Sequence, residues 1–137
     1  MSFDPIVDYP LGSRRPDLVS TLGGTPLADV TLEAVRAGHI SARDARATPE
    51  TLRRQAAVAS AAGRKPLAES LERAAELVLI PDDELLEIYT ALRPGRSTAA
   101  QLESWAKRLD GYSAARSAAF VREAAVAYEQ RGLLARA

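Results

Sequence analysis

The side chains able to do chemistry in this chain are few and scattered. His39 is the only histidine. A two-histidine metal site is therefore excluded, and the nucleophile and orienting carboxylate of a catalytic triad are not spaced to serve it, so it reads as a loop residue. Asp82-Asp83-Glu84 gathers three carboxylates that could attract a cation. They directly follow Pro81, however, where carboxylates at a helix start each add a few tenths to about 1 kcal/mol through the helix dipole. Asp82 with Glu87 could also be read as the acid–base pair of a free-standing lyase or hydrolase. Gly23-Gly24 lacks the strand, glycine spacing and lysine of a phosphate loop, and reads as a turn. Arg93-Pro94-Gly95-Arg96-Ser97 sets two guanidinium groups on a bend. Such a pair can grip the carboxylates of a partner or of this chain, or a phosphate, or stay solvated. Arg122-Glu123 follows Phe120 at the edge of an apolar stripe, where it either packs on another protein or forms an exposed charge pattern. Its helical neighbours Ala118 and Val126 offer Arg122 no ion pair. Trp105 and Tyr89 fall on apolar stripes and read as core residues first, partner contacts second. With no cysteine there is no thiolate ligand, iron–sulfur cluster, cysteine nucleophile or disulfide.

The elements that must carry these residues follow from helix punctuation. Residues 1 to about 30 form an arm with Pro5, Pro10, Pro16, Pro26, Gly12, Gly23 and Gly24. Proline fixes φ and removes a donor, so the arm is expected to be extended, not helical. It carries Phe3, Ile6, Val7, Tyr9, Leu11, Leu18, Val19 and Leu22, more apolar than a solvated linker, and is expected to lie against a partner. From residue 31 to 137 a helical domain is expected. Thr31 caps a short helix ended by Gly38, and Ser41 with Asp44 resembles a capping box for one or two turns. Thr48-Pro49-Glu50 opens a helix running to Ala62 and closed by Gly63. Pro66 opens the next, with Leu67, Leu71, Ala74, Ala75 and Val78 as its buried face. Pro81 opens a third, with Leu85, Ile88, Tyr89 and Leu92 on one stripe, stopped by Pro94-Gly95. Thr98 with Gln101 makes a capping box before Leu102, Trp105, Ala106 and Leu109, with Gly111 as the stop. The last helix, about Ser113 to Gln130, is expected to bury Phe120, Ala124, Ala127 and Tyr128. No repeat at a fixed solenoid period is evident.

The whole is read as all-α: a single compact helical domain of about five main helices with an N-terminal arm. Its 137 residues suit one domain. The apolar fraction is 47%, but much of it is alanine, which buries little area and predicts a thin core. β-Branched residues are sparse and aromatics make up only 5%, against strands. Eighteen basic residues balance eighteen acidic ones, so no global field draws in nucleic acid or an anionic membrane. Sixteen of the basic residues are arginines, and the short helix spacing around residues 49 to 79 keeps a free-standing helical nucleic-acid- or protein-binding module as the alternative. A signal peptide is not expected, and no run of 18 apolar residues would span a membrane.

Several stretches, in order over almost the whole chain, resemble the small subunit of the coenzyme-B12-dependent diol and glycerol dehydratases. Asp8-Tyr9-Pro10-Leu11 is similar to that family's DYPL, Thr48-Pro49-Glu50-Thr51-Leu52-Arg53 to its TPETLR, and Glu72-Arg73-Ala74-Ala75-Glu76-Leu77 to its ERAAEL. Pro81-Asp82-Asp83, Leu86-Glu87-Ile88-Tyr89, Ala91-Leu92-Arg93-Pro94 and Arg96-Ser97-Thr98 resemble PDD, LEIY, ALRP and RST. The stretch from Ala118 to Ala125 resembles AAFVREAA. Residues 111 to 117 lack a cysteine found near this point in familiar members.

The resemblance implies a non-catalytic helical subunit in a hetero-hexamer with two copies each of large (alpha), medium (beta) and small subunits. In that enzyme adenosylcobalamin and a metal ion sit on the other subunits, and water is eliminated from propane-1,2-diol or glycerol by a radical route to give an aldehyde. It implies a cytoplasmic protein, with a bacterial microcompartment as a further location. Some diol dehydratase small subunits carry a longer extension associated with such packaging, whereas the short segment before Asp8 resembles glycerol dehydratases more. No catalytic, cofactor-binding or metal-binding residue is expected on this chain. Tyr9, Leu11, Tyr89, Arg93, Arg96 and Arg122 are the candidates for partner contacts.

Overall fold

A computed structural model describes residues 2–136. Among them are seven α-helices and no strand beyond an isolated Ser20–Pro26 bridge. The helices are α1 (Leu11–Arg14), α2 (Leu32–Arg36), α3 (Pro49–Ala61), α4 (Lys65–Leu77), α5 (Asp82–Ala91), α6 (Ala99–Gly111) and α7 (Ala115–Arg131). The fold is all-α, and its five long helices fall where the punctuation places them. The chain divides into two units, one ending at Val78 and the other beginning at Leu79.

The arm differs from the extended segment expected. It is folded back on itself by short-range polar contacts that composition alone does not reveal. Asp4 accepts from the amides of Ile6 and Val7 at 2.9 and 3.0 Å, and Asp8 accepts from the amide of Asp4 and from Arg15 at 2.9 and 3.0 Å. Arg15 also grips Asp17 through two bonds. The Tyr9–Pro10 peptide is cis, and α1 follows at once, with two turns of 3-10 helix, Pro16–Leu18 and Leu27–Asp29, further on. Proline opens these turns rather than breaking them, because it sits where no helical donor is needed. The arm is held to α3 by Arg54, which donates to the carbonyl of Leu18 at 2.9 Å.

Ser41 and Asp44 form a turn rather than a helix. Asp44 accepts from both the amide and the hydroxyl of Ser41, at 2.9 and 2.7 Å. These bonds, with others from Thr21 and the Gly23 amide, hold its carboxyl down at about 2. A Cβ at Gly23 would stand 2.8 Å from Asp44 Oδ1, so a larger residue there would have to displace this hydrogen-bonded carboxylate.

The structure reveals an internal repeat that the sequence conceals. Helix α3 packs along α4, and α6 along α7. Each hairpin begins at a threonine whose side chain accepts from the amide three residues on, and Thr98 stands fifty residues after Thr48. Each turns through the same backbone path. Ala62 (φ −83°, ψ 7°) corresponds to Tyr112 (φ −88°, ψ 8°), and Arg64 (φ −91°, ψ 62°) to Ala114 (φ −95°, ψ 58°). Between them lie Gly63 and Ser113, both left-handed, at φ 74° and 58°. The amides of Arg64 and Ala114 close the turns onto the carbonyls of Ala59 and Leu109, a Schellman arrangement that satisfies helix-end acceptors. Leu52, Ala56, Ala68, Ala74 and Ala75 recur as Leu102, Ala106, Ala118, Ala124 and Ala125. Most of these are alanines, which abound throughout the chain, so the correspondence does not stand out as a sequence repeat.

The core is thin. Of fourteen buried apolar residues eight are alanine, which lets helix axes approach closely but contributes little area per residue. Three expected core residues are instead exposed: Leu67 at 46%, Tyr89 at 62% and Phe120 at 46%. Each lies about 100° around its helix from the buried residue beside it, Ala68, Ile88 or Val121. On α5, Tyr89 lies one turn from both Leu85 and Leu86, and about 100° from the buried Ile88.

Candidate functional site

In the first unit a groove of about 530 Å³ runs between the arm and the α3–α4 hairpin. Pro5, Ile6 and Tyr9 form one wall, and Val58, Ala62, Leu67 and Leu71 contribute to the other. Gln55 and Arg64 supply its polar lining. Ile6 is 77% exposed and Tyr9 51%. The arm positions these two because Asp4, Asp8 and Arg15 fix its turn, and the hairpin presents Leu67 because Ala68 takes the inward place beside it. The groove is apolar and open, and holds no acid–base pair or nucleophile among its lining residues.

In the second unit α5 meets α6 through Glu84. Glu84 receives two 2.7 Å bonds from Arg108 and one of 2.9 Å from the Tyr112 hydroxyl. Arg108 chiefly, then Tyr112, pulls the Glu84 carboxyl down to about 2. Glu87, Thr90 and Ala91 of α5 face Trp105 and Gln101 of α6 across a smaller cavity of about 300 Å³. The acidic trio at the start of α5 thus includes a residue that ties two helices together, beyond its effect on the helix dipole. Its partners lie 24 and 28 residues away, beyond any local spacing rule.

The expected contact residues divide between the two units. Tyr9 is exposed on the groove wall. Leu11 is 2% exposed, so its side chain has no free surface to offer a partner. Tyr89 is exposed on α5. Arg93 and Arg96 are exposed on a bend that the C-terminal segment holds in place: the Gly95 amide donates to Leu133 at 2.7 Å and the Ala135 amide to Ser97 at 2.9 Å. Arg122 has the ion pairs that i±4 spacing denied it. It binds Glu103 at 3.0 Å and Asp110 at 2.8 Å, which ties α7 to α6 within the hairpin. His39 is an exposed residue just after Gly38.

The apolar groove was not legible from helical periodicity, which assigned Leu67 and Leu71 to the core. The apolar residues of the proline-rich arm, Ile6 and Tyr9 among them, are the signal that could have found it, since they form one of its walls. Among the described residues no three His, Cys, Asp or Glu side chains are placed to hold a metal ion, and no helix is long and apolar enough to cross a membrane.

Comparison with known proteins adds what geometry does not. The model of a family described as "Dehydratase small subunit" matches residues 5–135. Two proteins named propanediol dehydratase small subunit, from Citrobacter freundii and Salmonella typhimurium, are each 51% identical to the chain over 127 residues. The match covers 92% of this chain and 74% and 73% of theirs.

Proposed function

The chain belongs to the dehydratase small-subunit family, and we propose that it is the small, non-catalytic subunit of an adenosylcobalamin-dependent diol or glycerol dehydratase. The observation that carries this reading is the match, along nearly the whole chain, to propanediol dehydratase small subunits. The enzyme it serves is a hydro-lyase that converts propane-1,2-diol or glycerol to the corresponding aldehyde, built from two copies each of large, medium and small subunits. Adenosylcobalamin, when bound, supplies the radical chemistry of that elimination. The described residues of this chain do not fit it or a metal ion: its larger groove is apolar, with one glutamine and one arginine as polar lining, and no metal-ligand cluster is formed. We place both groups on the other subunits.

The part left to this chain is to bind and stabilise. Exposed Ile6, Tyr9, Leu86 and Tyr89, with Arg93 and Arg96, are the kinds of side chain that anchor interfaces when covered. The arm, with Tyr9, packs on a partner subunit, and the complex works in the cytoplasm or inside a bacterial microcompartment.

Co-expression with and without this chain tests the reading. The large and medium subunits of its own system should form a three-component complex that elutes as one species and produces aldehyde from diol with added adenosylcobalamin. Full activity and an unchanged elution volume in the absence of this chain would overturn it.

A further inference from the structure

Arg93-Pro94-Gly95-Arg96 forms a β-turn whose backbone is fixed from several sides. The Arg96 amide closes it onto the Arg93 carbonyl at 3.1 Å. Gly95 is left-handed at φ 72°, as a type II turn with proline second and glycine third requires. Such a turn brings its first and fourth Cα atoms within about 7 Å, so the two arginines spring from neighbouring points. On one side the buried Ser97 hydroxyl donates to the Ala91 carbonyl at 2.8 Å, and the Tyr128 hydroxyl donates to the Leu92 carbonyl. The C-terminal segment adds the bonds from the Gly95 amide to Leu133 and from the Ala135 amide to Ser97.

The arginines so placed are not used inside the chain. Neither guanidinium makes a hydrogen bond or ion pair among the described residues, whereas Arg54, Arg108 and Arg122 each bind a partner on another element. Glu87 lines the same cavity as Arg96 yet does not pair with it. One turn before Arg93 stands Tyr89, and one turn before that Leu86, both exposed. A phosphate ion on the arginines would leave those two side chains bare, whereas a protein surface bearing carboxylates would cover all four.

We propose that the turn of residues 93–96 is a preformed clamp for a carboxylate of another subunit, with Tyr128 and residues 133–135 as its positioning residues. The inference rests on the subunit reading above. It adds the chemistry of the group that the neighbour brings, and a reason for the chain's last residues to be folded back on the turn. Fixing the turn in advance removes part of the ordering cost of binding, and each guanidinium can then grip a carboxylate through paired N–H donors.

The test uses the full chain co-expressed with the large and medium subunits, and reads the small subunit retained per large subunit on the immobilised complex. Arg93→Ala with Arg96→Ala should lower retention about tenfold in dilute salt. The gap from wild type should narrow as sodium chloride rises, because salt screens charge pairs at an interface rim. Ala135→Pro deletes the amide that holds Ser97 and lies beyond the last helix. It should lower retention about threefold in the wild-type background and not at all once both arginines are alanine. General loss of structure would instead lower retention equally in both backgrounds. A photo-cross-linking residue at Pro94, which is exposed, should join the chain to an acidic segment of another subunit. Wild-type retention of the Arg93→Ala, Arg96→Ala variant would overturn the proposal. So would Ala135→Pro acting equally in both backgrounds or in neither, or a Pro94 cross-link to a segment without aspartate or glutamate. In all those cases the complex itself still forms, so the subunit reading survives. Failure of the unmodified chain to enter any complex would instead sink that reading, and this inference with it.

Discussion

Between Thr48 and Val78 the chain builds a hairpin whose outer face carries Gln55, Val58 and Ala62 and lies open beside the arm. Between Thr98 and Tyr128 it builds the same hairpin, with Trp105, Arg108 and Tyr112 at those positions and α5 drawn down on them through Glu84. What the two share is backbone: a threonine cap, alanines at the close approach, and a left-handed residue at the turn. What separates them is three side chains and the helix that answers them. Caps and small residues recur in both, so the outer face is free to vary: it lines an apolar groove in one copy and carries the bonds to Glu84 of α5 in the other.

The sharpest way to break the comparison is through the leucine that both hairpins carry. Leu102 is 0% exposed whereas Leu52 is only half-buried. Leu102→Ala should cost about 3 kcal/mol in denaturant melts of the full chain, and Leu52→Ala about half that. Equal losses would mean that the two interiors are equally closed. Next in size are the turns. Gly63→Ala forces a Cβ into the left-handed region and should cost about 1 to 2 kcal/mol. Ser113→Gly relieves that strain in the second hairpin and should stabilise it, by less than about 1 kcal/mol, because glycine loses more backbone freedom on folding.

The caps should differ less. Thr98→Ala and Thr48→Ala should each cost about 1 kcal/mol. Thr98 should lose slightly more, since Gln101 returns a 2.9 Å bond to its amide while Thr51 in the first hairpin bonds only the threonine hydroxyl.

The smallest effect at neutral pH concerns Glu84. Its carboxyl is held at about 2 rather than the usual 4.5, so the folded state binds its proton less readily than the unfolded one. Its contribution is fully present above about 4.5 and is lost as the pH falls towards about 2. Glu84→Gln should remove that part of the acid sensitivity, read as a flatter stability curve over this window. An unchanged acid slope would show that Arg108 does not hold α5 on α6.

Helix starts were legible because Thr48 with Pro49, and Thr98 with Gln101, act locally, within a turn or so of sequence. The same holds for the stops at Gly38, Gly63 and Gly95. Less was legible wherever a contact spans tens of residues: Glu84 with Arg108, Arg122 with Glu103, Arg54 with Leu18. Periodicity misassigned Leu67, Tyr89 and Phe120 because each sits beside a residue, Ala68, Ile88 or Val121, that takes the inward place, and a pattern of bulk does not decide between adjacent positions. The arm was misread as extended because its proline content masks the aspartates that fold it. The family resemblance was carried by fragments such as Asp8-Tyr9-Pro10-Leu11, and in the structure that fragment divides its labour: Asp8 pairs with Arg15, Leu11 is buried, and Tyr9 is left at the surface.

Each hairpin turns over in three residues, Ala62 to Arg64 and Tyr112 to Ala114. Loop closure over so short a span costs little chain entropy, and contacts this local favour rapid folding. During synthesis the first hairpin, complete at Val78, can form before the second has left the ribosome, so the open groove exists as a folded surface before the chain that bears it is finished.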